Sequence, residues 1–454
     1  MERVAKKIKI NDSNICINVV GAGLAGCEAA NYIANKGYIV NLFEMKPQEF
    51  TRAHKSSDYC ELICSNSFKN KSITSATGLL KQELIRIGSL ILKCAYDNEL
   101  PAGSALAVDR DNFSKQVTYS IKSNPNINIV TKRVNSIDEL IVNDSTYTII
   151  CSGPLTTDNL ADSIMSTIGD NNLYFYDAIA PTLQFDEIDF NYAYMASRYS
   201  SEDKSYINCP LTKEDYDKFY NFLVSAETVK LKKFEEQKVF EGCMPVEVLA
   251  KRGYDSLRYG PMKPVGLTNP HTNSKDYAVI QLRQDNLKAS IYNMVGFQTN
   301  LTFPVQQQLL KYIPALKNCK ILRFGVMHRN TYLDSPNILN KFFQMKSNKN
   351  VFFGGQITGV EGYLPSTASG LVAAINCIKE IRGKNKVDFS SSTVIGSLQN
   401  YISTPPIKKF LPMNANYGIM TPLPENIRNK TKKYEEYSKR SLEVLEKIIS
   451  DYEI

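Results

Sequence analysis

The stretch ICINVVGAGLAGCEAANYIANKGYIVNLFE, residues 15–44, decides the fold. It opens on a short apolar run, ICINVV, that reads as a fully buried strand. The turn Gly21-Ala22-Gly23-Leu24-Ala25-Gly26 follows directly, then a helical stretch, then a second strand, YIVNLFE, that ends on Glu44. This is a β-α-β unit with a G-x-G-x-x-G turn at its first corner. Gly21 makes the tight turn, Gly23 lets a pyrophosphate approach the backbone, and Gly26 lets helix and strand pack closely. The start of the helix offers unpaired N–H groups to phosphates. A carboxylate at Glu44 is placed to bind a ribose hydroxyl pair, and its charge argues against a 2′-phosphate there. The bland alternative is a plain glycine turn in an α/β domain.

Two later segments extend the unit. STYTIICSGP (145–154) reads as a strand ending in a turn at Gly153, and NVFFGGQITGVEG (350–362) as a strand ending in a loop that carries Gly354, Gly355 and Gln356. The small-residue run ASGLVAAINCIKEIRG predicts a helix starting near Ser369. The glycine motif alone does not separate NAD from FAD. A chain that comes back to its nucleotide late, through a strand, a glycine loop and a helix, suits FAD. No second G-x-G-x-x-G is present, so no separate dinucleotide fold is expected for a second nucleotide. Tyr363 follows the glycine loop and could lie against a flavin ring; an ordinary core or surface tyrosine is the alternative.

Between about 182 and 325 the chain changes character. Tyr, Phe, Lys and Glu dominate, and YAVIQLRQD and SIYNMVGFQT alternate like antiparallel strands. The expectation is a Rossmann-like α/β domain of the glutathione-reductase type, residues 1–181 and 326–454, interrupted by an α+β insertion over 182–325. The tail YEEYSKRSLEVLEKIISDY spaces Leu442, Leu445, Ile448 and Ile449 as one helical face.

Composition sets limits. At 454 residues the chain can hold two or three compact units, and 43% apolar with 22% charged residues is ordinary for a globular protein. The net charge of +8 permits RNA contact without demanding it. The opening MERVAKKIKINDSN lacks the apolar core of a signal peptide, and no apolar run nears membrane-spanning length. A cytoplasmic protein without membrane attachment is expected. Three histidines and no C-x-x-C pair argue against a metal site. His54, His271 and His328 are scattered and receive no role.

The ten cysteines carry no disulfide-framework spacing, so reduced thiols are the default. In FEGCMPVE (240–247), Gly242 and Pro245 put Cys243 in a turn, which exposes a side chain, although most such cysteines pack as small hydrophobes. In CELICSNS (60–67), Cys60 and Cys64 would share one face of a helix, and CSNS resembles a helix boundary. At about 6 Å between Cα atoms, that spacing is long for a good disulfide. Core packing is expected for Cys60, and Cys64 stays open between packing and chemistry.

Taken together, NVVGAGLAGCEAA, ELICSNS, LPAGSALAVDR, FEGCMPVEVLAKRG, YGPMKPVGL, QLRQD, MVGFQTNL, GVMHRNTY, GGQITGVEGY and PMNANYG resemble, in this order, the TrmFO family of folate- and FAD-dependent tRNA (uracil-5-)-methyltransferases. The resemblance runs from about residue 15 to the C-terminus. It implies FAD as cofactor, with 5,10-methylenetetrahydrofolate as carbon donor and NAD(P)H as reductant. It implies Cys64 and Cys243 as catalytic thiols and Tyr363 near the flavin. The implied partner is RNA, the T arm of tRNA or, as in some relatives, 23S ribosomal RNA. The chain departs from the family pattern at Cys60, where alanine is usual, at Lys69, where arginine is usual, and in PSTASG (365–370), where ESAASG is usual. A thiol reductase using NADPH and flavin is the competing class. Candidate RNA-backbone contacts are KLKK (230–233), Lys408 with Lys409, and NKTKKYEEYSKR (429–440).

Overall fold

A computed structural model describes residues 15–51, 53–168, 173–178, 180–200, 202–229, 244–325, 327–406 and 410–454. Five strands among them form a parallel sheet: β1 (Cys16–Val20), β2 (Val40–Glu44), β3 (Ile127–Thr131), β4 (Thr146–Ile150) and β5 (Val351–Phe353). Their order across the sheet is β5-β4-β1-β2-β3. Strands with both faces covered must be apolar throughout, and β1, β4 and β5 are buried almost end to end. The chain steps from β1 to β2 and β3 on one side, then crosses to β4 on the other. That reversal opens a crevice at the carboxyl ends of β1 and β4, the place where doubly wound sheets bind ligands.

Helix α1 (Leu24–Asn35) returns from β1 to β2. Helix α2 (Tyr363–Ile381) crosses it, and a Cβ on Gly370 would sit 2.2 Å from the Ala25 carbonyl. The two backbones therefore touch. Sequence reading places the start of α2 near Ser369, and the structure moves it six residues earlier. Pro365 does not prevent the earlier start. It reads as a breaker, yet it lies in the first turn, where its missing N–H is needed by no carbonyl. Ser369 instead accepts the Gly355 N–H through Oγ (2.7 Å), tying the glycine loop to the helix.

A second hydrophobic core, separate from the first, is built only from residues 180–324. It covers an antiparallel sheet of Tyr194–Met195, Tyr206–Leu211, Ala278–Gln284, Ile291–Met294, Thr182–Gln184 and Ile321–Arg323, in that spatial order. Helix Lys213–Ser225 lays Tyr216, Phe219 and Leu223 onto it. The chain goes out and back through an antiparallel ribbon, Leu173–Ala178 with Met327–Tyr332. The C-terminal helix Lys430–Tyr452 docks on the first core through Tyr437, Leu445 and Ile448, with Leu442 and Ile449 half-buried beside them. No described helix is long and apolar enough to cross a membrane.

Candidate functional site

The crevice holds a cradle shaped for a dinucleotide. Gly21 leaves β1 at φ +94°, where a Cβ would lie 2.6 Å from the Cys151 carbonyl just beyond β4. A Cβ on Gly26 would lie 1.8 Å from the Gly21 carbonyl. Gly23 is different: among the described residues, a Cβ there would meet nothing within 4 Å. The turn is closed behind and open in front. Gly23 caps α1 without a side-chain hydrogen bond, so the first N–H groups of the helix stay available to phosphate oxygens. Glu44 is buried and accepts the Ala22 N–H (2.8 Å) and the Lys46 N–H (2.9 Å). A carboxylate has roughly four acceptor sites, so capacity remains for ribose hydroxyls. These residues fit a bound FAD.

The crevice continues as a cleft of about 1320 Å³, partly open to solvent. Gly21, Ala22, Gly23, Leu24, Ala25, Glu44, Gly153, Gly355, Gln356, Tyr363 and Cys64 all line it. Gly26 and Gly354 stand behind the lining. Gly354 packs on Gly370 and Cys151, where a Cβ would be 2.9 Å from either. Gln356 donates to Glu361 (2.6 Å), which fixes the loop beneath α2.

Cys64 closes one end. No helix forms over 60–67, and the chain runs irregularly into a strand, Ser67–Asn70. Tertiary partners take the polar groups that a helix would have used. The half-buried Tyr363 hydroxyl accepts the N–H groups of Cys64 and Ser65, both at 3.1 Å, and donates to the Ser65 carbonyl at 2.8 Å. Burial pushes the Tyr363 phenol above its ordinary value, the Cys64 thiol adds to this, and Arg110 opposes it. The phenol therefore keeps the proton that it donates. Phe68 backs the tyrosine ring at 5.5 Å.

Two arginines complete the clamp, and sequence reading assigned neither of them. Arg110 Nη1 donates to the carbonyls of Leu62 (2.6 Å) and Ile63 (3.2 Å), while its Nε pairs with Asp285 (3.0 Å). Burial pulls the Arg110 guanidinium down, but Asp285, Tyr363 and Cys64 together carry it above its ordinary value. Arg283 donates through Nε to Asn66 (2.9 Å) and through Nη2 to Ser65 Oγ (2.8 Å). Both Arg283 and Asp285 come from the 180–324 core, so each core supplies part of the Cys64 seat. The available signal was a charged pair, Arg283 and Asp285, at the end of the strand-forming run AVIQLRQD. His54, given no role from sequence, also lines the cleft, with Nδ1 2.6 Å from Thr51 Oγ1.

Cys60 is buried at φ +54°, its N–H on the Ala22 carbonyl (3.0 Å), and it packs under the glycine turn. Cys27, Cys94, Cys151, Cys209, Cys319 and Cys377 are buried too. Cys243 lies outside the described residues, as do 230–233 and Lys408 with Lys409. On either side of 230–243 the chain is held by one segment: Val229 N–H on the Asn300 carbonyl (2.9 Å) and Val246 N–H on the Gln298 carbonyl (2.7 Å). Lys430 and Lys432 lie exposed in the first turn of the C-terminal helix, and Lys433 is half-buried beside them.

The family described as "Glucose inhibited division protein A" matches residues 16–385. The methylenetetrahydrofolate--tRNA-(uracil-5-)-methyltransferase TrmFO of Acetivibrio thermocellus is 48% identical over 436 residues, covering 96% of this chain and 99% of that relative. The protein of the same name from Bacillus subtilis is 46% identical over 95% of this chain and 98% of its own length. Aquifex aeolicus GidA, in its form II crystal, shares the fold with a TM-score of 0.65 at 16% identity, over 96% of this chain and 76% of that one. The chain belongs to the glucose inhibited division protein A family and, with relatives this similar along its whole length, to the TrmFO family.

Proposed function

We propose that this chain methylates C5 of a uracil in tRNA, with 5,10-methylenetetrahydrofolate as carbon donor, FAD as cofactor and NAD(P)H as reductant. The observation that carries the reading is near-end-to-end similarity to relatives named for that reaction. The cleft supports it by joining a dinucleotide cradle to a thiol. Bound in the cradle, FAD supplies relay of the one-carbon unit and reduction of it to a methyl group.

The residues have separable tasks. The glycine turn and the N-terminus of α1 hold pyrophosphate, and Glu44 holds ribose. Uracil C5 is a poor nucleophile until a thiolate adds at C6, and that attack is assigned to Cys243. Cys64 takes the C5 proton, with its loop held by Tyr363, Arg110 and Arg283. The target base must leave its stack to reach either sulfur. The same reading treats 182–325 as an inserted unit between 1–181 and 326–454, and the separate cores support it. A tRNA substrate puts the protein in the cytoplasm.

The test maps 5-methyluridine in tRNA and in 23S ribosomal RNA from cells lacking the protein. The expected result is loss from the T loop of tRNA alone. A full tRNA signal in those cells overturns the proposal.

A further inference from the structure

We propose that His54 is a further catalytic residue, which donates a hydrogen bond from Nε2 to the C4 carbonyl oxygen of the target uracil while the thiolate adds at C6. This rests on the reading of the chain as a uracil methyltransferase. In that step the S–C6 bond forms and the C5–C6 π pair shifts to join C4 with C5. The carbonyl π pair moves onto the C4 oxygen, which becomes an enolate. The pair returns through C5 when that carbon accepts the one-carbon unit. A donor already fixed at the oxygen lowers the barrier, because nothing has to turn toward the charge as it forms.

The structure holds the imidazole for such a task. His54 is half-buried and lines the same cleft as Cys64. Thr51 Oγ1 accepts the N–H groups of Ala53 and His54, both at 3.3 Å, and lies 2.6 Å from His54 Nδ1. A hydroxyl has two lone pairs and one proton. Both pairs are taken, so the Thr51 proton goes to Nδ1, and the neutral imidazole carries its own proton on Nε2. Thr51 thus sets the tautomer and turns the N–H edge of the ring away from its own loop. The loop is fastened further on: Glu61 accepts the N–H groups of Lys55 (3.0 Å) and Ser56 (3.1 Å), and Lys46 Nζ donates to the Asp58 carbonyl.

Placement beside Cys64 selects the oxygen. Ala53 and Ile63 are buried in one small cluster, and Cys64 and Leu155 pack against it. His54 follows Ala53 in the chain and Cys64 follows Ile63, so imidazole and thiol flank the same apolar contact. Cys64 takes the proton from C5. The ring atoms bonded to C5 are C4 and C6, and C6 meets the attacking sulfur. A donor next to Cys64 therefore meets C4 and its oxygen. Other strong donors of the lining are engaged elsewhere. Lys132 pairs with Glu139 and Arg133 with Glu49, just beyond β3 at the nucleotide end, and Tyr363 donates to the Ser65 carbonyl.

The experiment mixes the full-length flavoprotein with a saturating tRNA transcript that carries 5-fluorouridine at the target, and follows covalent capture on a denaturing gel. Fluorine at C5 blocks proton loss there, so the adduct accumulates. His54→Ala and His54→Phe, which lack the donor, are expected to capture RNA about 100-fold more slowly. His54→Phe fills the site and carries the test should His54→Ala fail to fold. His54→Gln, whose amide N–H can stand where Nε2 stands, should stay within about tenfold of the wild type. Thr51→Val, with no proton for Nδ1, should be slowed, and Thr51→Ser should restore the rate. Flavin absorbance and melting temperature show which variants are folded and loaded. Capture by folded, loaded His54→Phe within roughly threefold of the wild type overturns the proposal. Capture by His54→Gln as slow as by His54→Phe overturns it too. Loss of flavin from folded His54→Gln assigns His54 to the nucleotide cradle and likewise overturns it. In each of these cases capture by the wild type still upholds the uracil reading; a wild type that captures no RNA overturns both.

Discussion

Cys64 owes its position to groups distant in sequence: a phenol on α2, one guanidinium from the first core and one from the second. Its chemistry can therefore be separated from its seat. Cys64→Ala should reduce turnover at least 100-fold, the lower end for loss of a general base, and leave RNA binding intact. Single-turnover formation of 5-methyluridine checks this, and undiminished turnover clears the residue. A different role falls to buried carboxylates. Glu83 accepts the N–H groups of Val394 and Ile395 and the Ser441 hydroxyl, capping a helix from outside. Burial pushes its carboxyl up to about 7, above its value in the unfolded chain. Its contribution to stability is then full below pH 4.5 and lost as pH rises through about 7. The melting temperature of the wild type relative to Glu83→Gln should rise as pH falls from about 8 to about 5; a pH-independent difference would count against a protonated Glu83.

Among elements, the contact of α1 with α2 governs the cradle. At Gly370 a methyl group would enter the Ala25 carbonyl, and neither backbone can yield without moving the glycine turn. Gly370→Ala should cost roughly 1–3 kcal/mol, as overpacking does, and should release flavin; denaturant titration and the ratio of flavin to protein absorbance measure the two. The turn itself was plain in the sequence, because strand, glycines and Glu44 lie within one short window and each follows from local sterics. The start of α2 was not, since the small-residue run marks only the later turns of the helix, while its first turn holds Pro365 behind the cap at Gly362. The CELICSNS segment misleads in the same way. Its capping residues suggest a helix end, but their partners, Tyr363 and Arg283, lie some 300 and 220 residues away. Local pattern shows what a segment favours alone, not which distant donors compete for its backbone.

At the scale of the whole molecule, two cores meet along a polar seam. Arg110 pairs with Asp285, Arg283 with Ser65 and Asn66, and Asn66 donates to the Gln284 carbonyl (2.9 Å). Asp285→Ala would leave Arg110 buried without its carboxylate, a loss of about 3–5 kcal/mol for such pairs. The penalty falls on docking of the cores, so unfolding should split into two transitions, with activity lost at the first. A single cooperative transition at the wild-type midpoint would refute this. The ribbon of Leu173–Ala178 and Met327–Tyr332 has a further consequence. The chain departs and comes home on adjacent rungs of one ladder, so everything hung on that stem resembles a graft with a narrow neck. Such a graft can be lengthened, trimmed or exchanged between descendants while the stock keeps its nucleotide, provided that the newcomer brings arginine and aspartate to the same two places.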